Sequence, residues 1–281
     1  MAVMTSLITQ NPIKITQITD THLYGKSSGT LLKMNTNETL NHVIELVKQN
    51  ENEIDLVLAT GDITQDASDK AYQNFLDIVA TLNTPFRWIP GNHDNATVMG
   101  RIAEGTEASE KTVQLNNWLI ILLDSSILGQ VHGKLDKTEI KFLTSVLRAV
   151  EKDDSVDHCL VSMHHNPVPG TSAWMRDIGL ENGQEFFETI KMSSKVRSVV
   201  YGHIHQELDF EHEGVRCFCT PSTCIQFKPK VTSFSLDRVN PGYRSLQLYA
   251  DGSIDSEVSR VSGEIFEADY NSPGYGHSIE S

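Results

Sequence analysis

Five stretches of this chain place metal ligands or proton carriers directly after an apolar run. They are Asp20-Thr21-His22, Gly61-Asp62, Gly91-Asn92-His93-Asp94, His164-His165 and Gly202-His203-Ile204-His205. In extended backbone, side chains two residues apart point to the same side, so Asp20 with His22, and His203 with His205, form same-face pairs. The chain holds 11 histidines. His22, His93, His164, His165, His203 and His205 all fall in these stretches, which scattered placement would not produce. Aspartate, asparagine and histidine supply oxygen and nitrogen donors without thiolate, a set that suits Mn, Fe, Zn or Co. The donors are too many for one catalytic ion with an open position, and enough for two. Asp62 is the simplest bridge between such ions. Of the adjacent His164 and His165, spacing alone selects neither. Two ions about 3.5–4 Å apart clamp a phosphorus centre for in-line attack and lower the pKa of a shared water towards neutrality.

Such donors converge only if the runs before them are strands ending at one edge of a sheet. Ile13–Thr19, Asp55–Thr60, Phe86–Ile89, His158–Met163 and Arg197–Tyr201 read as those strands. Between them, apolar residues recur at helical spacing: Leu40, Val43, Ile44 and Val47; Tyr72, Phe75, Leu76 and Val79; Ile140, Leu143, Leu147 and Val150. Asp136 and Glu139 read as an N-cap and its N3 carboxylate, opening the third of these helices. A short helix is expected after Asp94 and another over Gly183–Ile190. Thr112–Leu115 and Trp118–Leu123 read as a hairpin. After His205 the pattern changes to antiparallel strands at Glu207–Phe210, Val215–Cys219, Ser233–Leu236, Ser245–Tyr249 and Ile254–Val258. Alternating strands and helices predict an α/β fold with a mostly parallel sheet, and ligands gather at the carboxyl ends of such strands. No linker interrupts the chain. Residues 1–263 are therefore expected to form one catalytic domain, and the polar residues 264–281 a loosely held C-terminal tail.

Composition narrows the functions further. The formal net charge of the 281 residues is −14, which argues against polymeric nucleic acid as a partner. No apolar run reaches membrane-spanning length, and Met1–Asn11 lacks the basic start and apolar stretch of a secretory leader. The expected location is the cytoplasm, as a monomer or homodimer. Cys159, Cys217, Cys219 and Cys224 contain no Cys-x-x-Cys pair and read as small buried hydrophobes.

Taken in order, the five stretches resemble the motif set of the calcineurin-like metallophosphoesterases. The likeness narrows with Gly202-His203-Ile204-His205-Gln206-Glu207, the run Thr220-Pro221-Ser222-Thr223-Cys224-Ile225-Gln226-Phe227-Lys228-Pro229, and Pro241-Gly242-Tyr243-Arg244. These look like the class III cyclic-nucleotide phosphodiesterases of bacteria, over roughly residues 13 to 260. The resemblance implies a four-layer αββα sandwich with two mixed sheets and a dinuclear centre of divalent or mixed-valence ions. It implies Asp20, His22 and His205 on the first ion, Asn92, His165 and His203 on the second, and Asp62 bridging. His164 would then support the centre from behind. His93, with His22, Asn92 and His205, would face the substrate. His93 would orient the phosphate or protonate the leaving oxygen, and Asp94 would orient His93 or cap a helix. The implied reaction is hydrolysis of 3′,5′-cyclic AMP to 5′-AMP, with glycerophosphodiesters or 2′,3′-cyclic nucleotides as alternative substrates. A non-catalytic scaffold would be expected to have lost ligands, and none of the ligand types is missing. Two departures stand out. The Asp-Arg-Gly of the protein serine/threonine phosphatases is replaced by Ile63-Thr64-Gln65-Asp66. Arg176 stands two residues after Trp174, where many phosphodiesterase relatives carry aspartate.

Overall fold

In the computed structural model, which describes residues 11–274, the chain begins with β1 (Ile13–Ile18) and a small hairpin of β2 (Thr30–Leu31) and β3 (Met34–Asn35). It continues through α1 (Thr36–Asn50), β4 (Leu56–Thr60), α2 (Asp69–Val79), β5 (Phe86–Ile89) and α3 (Ala96–Ile102). Next come β6 (Thr112–Leu115), β7 (Trp118–Leu122), α4 (Lys137–Val150), β8 (His158–Ser162), α5 (Gly183–Ile190) and β9 (Val196–Tyr201). The last elements are β10 (Leu208–His212), β11 (Val215–Cys219), β12 (Gly242–Leu248) and β13 (Ile254–Arg260).

Two mixed sheets result. The first runs β13-β12-β1-β4-β5, with β1, β4 and β5 parallel and β12 antiparallel to β1. The second runs β10-β11-β9-β8-β7-β6, with a parallel centre and antiparallel edges at β10 and β6. Their strands are apolar on both faces because both faces are covered. In β4, Leu56 and Leu58 join Ile15, Ile120, Leu122, Leu160, Val200 and Phe218 in a core between the sheets. The alternate residues Val57 and Ala59 meet Leu40, Val43, Val47, Tyr72 and Phe75 of α1 and α2. On the second sheet, Val161, Val199 and Cys217 meet Leu143, Leu147, Phe186 and Ile190 of α4 and α5. The expected αββα layering is what these three clusters form.

Asp136 caps α4 as expected, accepting from the backbone N–H of Thr138 and Glu139. The Glu139 carboxylate goes elsewhere: it accepts from Asp124 N and pairs with Lys111, tying the loop after β7 to the helix. Ser233–Leu236 is not a strand. Its only ladder contact among the described residues is a bridge from Leu236 to Phe227, and Phe234 instead packs edge-on against Trp174 and Phe227. Leu236 is buried and Phe234 half-buried in a loop, which a short β-rich run cannot reveal. Residues 264–274, read as loosely held, are docked. Phe266, Ala268 and Tyr270 pack on the core, Asp269 N donates to Leu32 O at 2.8 Å, and Arg238 lies 4.0 Å over the Tyr270 ring. Residues 275–281 lie outside the described residues, as does almost all of Met1–Asn11. All four cysteines are buried and without a disulfide. Among the described residues, no helix is long and apolar enough to cross a membrane.

Candidate metal centre

The five stretches leave their strands through sharp turns. Asp20, His22, Asp62, His203 and His205 take φ values of 53°, 47°, 48°, 69° and 46°. Left-handed backbone at a non-glycine residue costs ~1–3 kcal/mol and concentrates at functional sites. Here it swings side chains from separate strand ends towards one point. Glycine supplies the clearance. A Cβ on Gly61, itself at φ 93°, would lie 2.4 Å from His164 Nδ1, and one on Gly202 would lie 2.1 Å from Thr19 Oγ1.

Two overlapping groups form. In the first, His205 Nε2 lies 3.2 Å from Asp20 Oδ1 and 3.2 Å from His22 Nε2, and His22 Nε2 lies 3.7 Å from Asp62 Oδ2. In the second, His164 Nε2 lies 3.4 Å from Asp62 Oδ2, 3.2 Å from Asn92 Oδ1 and 3.2 Å from His203 Nδ1. Asp62 Oδ2 thus belongs to both groups, while its Oδ1 accepts from His93 N at 2.9 Å. Asp20 is held by Thr19 Oγ1 and by the backbone N–H of His203. Asp20, His22, Asp62, His164, His203 and His205 are all buried, and Asn92 and His93 are half-buried.

The remote ring nitrogens decide what these imidazoles can do. His22 Nδ1 meets Gln65 Oε1 at 2.7 Å, and His164 Nδ1, His203 Nε2 and His205 Nδ1 meet the carbonyls of Thr60, Ile178 and Ile225, each at 2.8 Å. An oxygen acceptor fixes the proton on that nitrogen, so the inner nitrogen presents a lone pair. The contacts His22–His205 and His164–His203 are then acceptor against acceptor at 3.2 Å. Such contacts are relieved by a positive charge between the rings, a metal ion or, on His164, a proton. The field asks for one too: burial opposes charge on His164, but Asp62 and then Asp20 outweigh it and lift its pKa to about 9. Burial pushes His22 and His203 down to about 3. The donor set therefore fits two metal ions that share Asp62.

The adjacent histidines both stand with His203 in one possible donor group, but they differ in what else their rings meet. His164, not His165, reaches Asp62 and Asn92. His165 uses Nδ1 on Ser125 Oγ at 2.8 Å and Nε2 on Val131 O at 3.1 Å, so both ring nitrogens are engaged by protein groups although it lies beside His164 and His203. The pair lies in the bend after β8, where tertiary contacts that spacing in the sequence does not carry separate the two rings.

Asp94 also differs from expectation. Its carboxylate accepts from Gly91 N, Ile63 N, Thr64 N, Thr64 Oγ1 and Tyr72 Oη, which fills the roughly four lone-pair sites of a carboxylate. It clamps the Asp62 loop to the Asn92 loop. Burial and the nearby Asp62 charge push its pKa to about 6. Asp94→Ala is expected to destabilise the protein by more than ~3 kcal/mol, because three buried N–H groups lose their acceptor, and Tyr72→Phe by about 1 kcal/mol. Urea unfolding of the two variants measures both; equal small losses would contradict the clamp.

Sequence reasoning missed the outer partners Gln65 and Thr60, and Phe227, whose ring stacks on His205 at 4.2 Å and 12°. Ser222 donates Oγ to Asp20 O at 2.7 Å. Trp174 packs on Phe227 and Phe234.

The sequence profile of the calcineurin-like phosphoesterases matches residues 13–207, a span that holds all five stretches. The chain is a calcineurin-like phosphoesterase. Proteins of this family work with two divalent metal ions, in keeping with the two donor groups around Asp62. This phosphoesterase is 41% identical over 267 residues, 95% of its chain and 97% of the relative, to a Pseudomonas aeruginosa protein named 3′,5′-cyclic adenosine monophosphate phosphodiesterase CpdA. It is 38% identical over 94% of its chain and 95% of the relative to the protein of that name from Escherichia coli (strain K12). In fold it resembles a dimetal phosphatase from Danio rerio, with a TM-score of 0.61 at 13% identity over 90% of this chain and all (100%) of that one. It also resembles GAP50, the anchor in the inner membrane complex of Plasmodium, with a TM-score of 0.64 at 12% identity over 92% and 90% of the two chains. The fold is thus shared by an enzyme and an anchor, and function has to be read from the site.

Proposed function

We propose that this phosphoesterase hydrolyses 3′,5′-cyclic AMP to 5′-AMP. In this reading Asp20, His22, Asp62 and His205 hold one metal ion, and Asp62, Asn92, His164 and His203 the other. The observation that carries it is the convergence of the other six side chains around Asp62, with every outer imidazole nitrogen already committed to an oxygen. The cyclic-AMP assignment is supported by the names of the relatives that match over nearly their whole length.

When bound, the two ions would offset the phosphate charge and make water a stronger nucleophile near neutral pH. The chain's own residues do the rest. Asp62, anchored through Oδ1 by the His93 backbone N–H, keeps Oδ2 between the two donor groups. The His93 ring stands edge-on to His22 with centroids 5.0 Å apart, at the half-buried side where substrate enters. It would donate a proton to O3′ as the P–O3′ bond breaks and the oxygen of water bonds to phosphorus. A cavity of ≈ 360 Å³ opens at Gly91 and Asn92 and extends past Val98, Ser126 and Leu128, within the size range of small-molecule sites. Four unpaired cysteines support a reducing, cytoplasmic location.

Turnover of cyclic AMP, cyclic GMP, 2′,3′-cyclic nucleotides and glycerophosphodiesters by the Mn²⁺-loaded protein tests the substrate. Cyclic AMP is expected to have the highest kcat/KM; a rank near the bottom would overturn the assignment.

A further inference from the structure

The two donor groups each straddle the two sheets. Asp20, His22, Asp62 and Asn92 follow β1, β4 and β5 of the first sheet, whereas His164, His203 and His205 follow β8 and β9 of the second. All the carboxylates come from one sheet, and the other contributes only imidazoles. The spacing of any two ions held here therefore depends on the gap between the sheets. Over most of their area the sheets meet through Leu, Ile, Val and Phe side chains, and apolar packing has no direction of its own. A directional link is needed where the gap matters.

Besides the bonds of His203 N and Ser222 to Asp20 and of His164 to Thr60, a chain of buried polar side chains crosses the gap at the strand ends. Arg244 Nε of β12 donates to Thr220 Oγ1 at 3.1 Å, and Thr220 Oγ1 donates to Gln17 Oε1 at 2.5 Å. Gln17 Nε2 then donates to Thr60 Oγ1 at 2.9 Å and to the Tyr201 carbonyl at 3.3 Å. Because a carbonyl only accepts, the orientation of the Gln17 amide is fixed. Arg244 also donates to the carbonyls of Leu208 and Cys219 and to Ser256 Oγ, and it has no ion pair among the described residues. Gln17, Thr60 and Thr220 are 0% exposed and Arg244 is 2% exposed.

The place of Gln17 is specific. It lies three residues before Asp20. Its partner Thr60 precedes Gly61-Asp62 and accepts the His164 ring proton on its own carbonyl. Its partner Tyr201 precedes Gly202-His203. A single amide thus touches the roots of three of the five stretches, across both sheets.

We propose that Gln17 is a positioning residue that sets the spacing of the two metal sites. The inference rests on the ligand assignment above. Gln17→Met keeps the length of the side chain and removes every hydrogen bond, and Thr220→Val cuts the link to Arg244 if Gln17→Met does not fold. Leu147→Ala, in the distant helix layer, serves as a control for lost stability alone.

The test is electron paramagnetic resonance of each protein loaded with Mn²⁺, read alongside kinetics on cyclic AMP. Gln17→Met is expected to change the Mn–Mn coupling pattern and to lower kcat by up to ~10²-fold, the scale of a 1 Å misplacement, with KM little changed. Leu147→Ala is expected to keep the wild-type spectrum. A wild-type spectrum in Gln17→Met, or the same altered spectrum in Leu147→Ala, would overturn the proposal. The spectroscopic result needs no turnover, so a wild-type protein inactive on cyclic AMP would sink the substrate reading and leave this one to stand or fall by itself.

Discussion

His164→Ala is expected to strip one of the two ions and lower turnover by ~10³-fold or more, whereas His165→Ala retains both ions and most of the activity. The adjacent residues differ in what their rings face. His164 donates from Nδ1 to the Thr60 carbonyl and brings Nε2 to Asp62, Asn92 and His203. Removing it leaves the second donor group with Asp62, Asn92 and His203. An ion that contributes several kcal/mol to the transition state accounts for the size of the loss, at 1.36 kcal/mol per tenfold. His165 instead connects Ser125 to Val131. Its loss leaves those groups unpaired, at ~1–3 kcal/mol of stability. Metal content after gel filtration, set beside kcat, separates the variants. Equal metal loss in both would mean that His165 is also a ligand.

The second large effect concerns the neighbours Asn92 and His93. His93→Ala is expected to lower kcat by ~10²–10⁴-fold, the range for a positioned proton donor, while both ions stay bound. Asn92→Ala is expected to lose metal and activity together, because Asn92 Oδ1 lies 3.2 Å from His164 Nε2 inside the second donor group. The His93 contribution to the centre is made by its backbone N–H on Asp62 Oδ1, and an alanine keeps that bond. The variant therefore removes the ring alone, which stands beside His22 and Asp62. The discriminating measurement is Mn²⁺ titration with kinetics on substrates of graded leaving-group pKa. His93→Ala should lose most on the poorest leaving group. A uniform loss across the series would remove the proton-donor role.

Most of the layers were legible in the sequence. Continuous apolar runs such as Leu56-Val57-Leu58 signal strands covered on both faces, and the spacing of Leu143, Leu147 and Val150 signals the helix that covers one of them. Ser233–Leu236 misled because β-rich composition describes a half-buried surface, and a loop folded under Trp174 supplies one just as well. Glu139 showed the same limit: its position matched a capping partner, but a tertiary contact with Asp124 N and Lys111 claimed its carboxylate.

The sequence by itself offered the candidate donors and their order: Asp20, His22, Asp62, Asn92, a histidine at 164 or 165, His203 and His205, each after a strand. Residue type carries donor chemistry, and strand ends in an α/β sheet share an edge, so both are local facts. Only the tertiary structure shows that His164 meets Asp62 and Asn92 while His165 meets Ser125 and Val131, and that Asp94 clamps loops. It alone revealed Gln65, the carbonyls of Thr60, Ile178 and Ile225, and Gln17 as the groups that aim and space the donors. These depend on contacts between residues tens to hundreds of positions apart, such as Gln17 with Tyr201 and His205 with Asp20. Periodicity reports which face of its own element a residue occupies; it says nothing of what the opposing element brings to meet it.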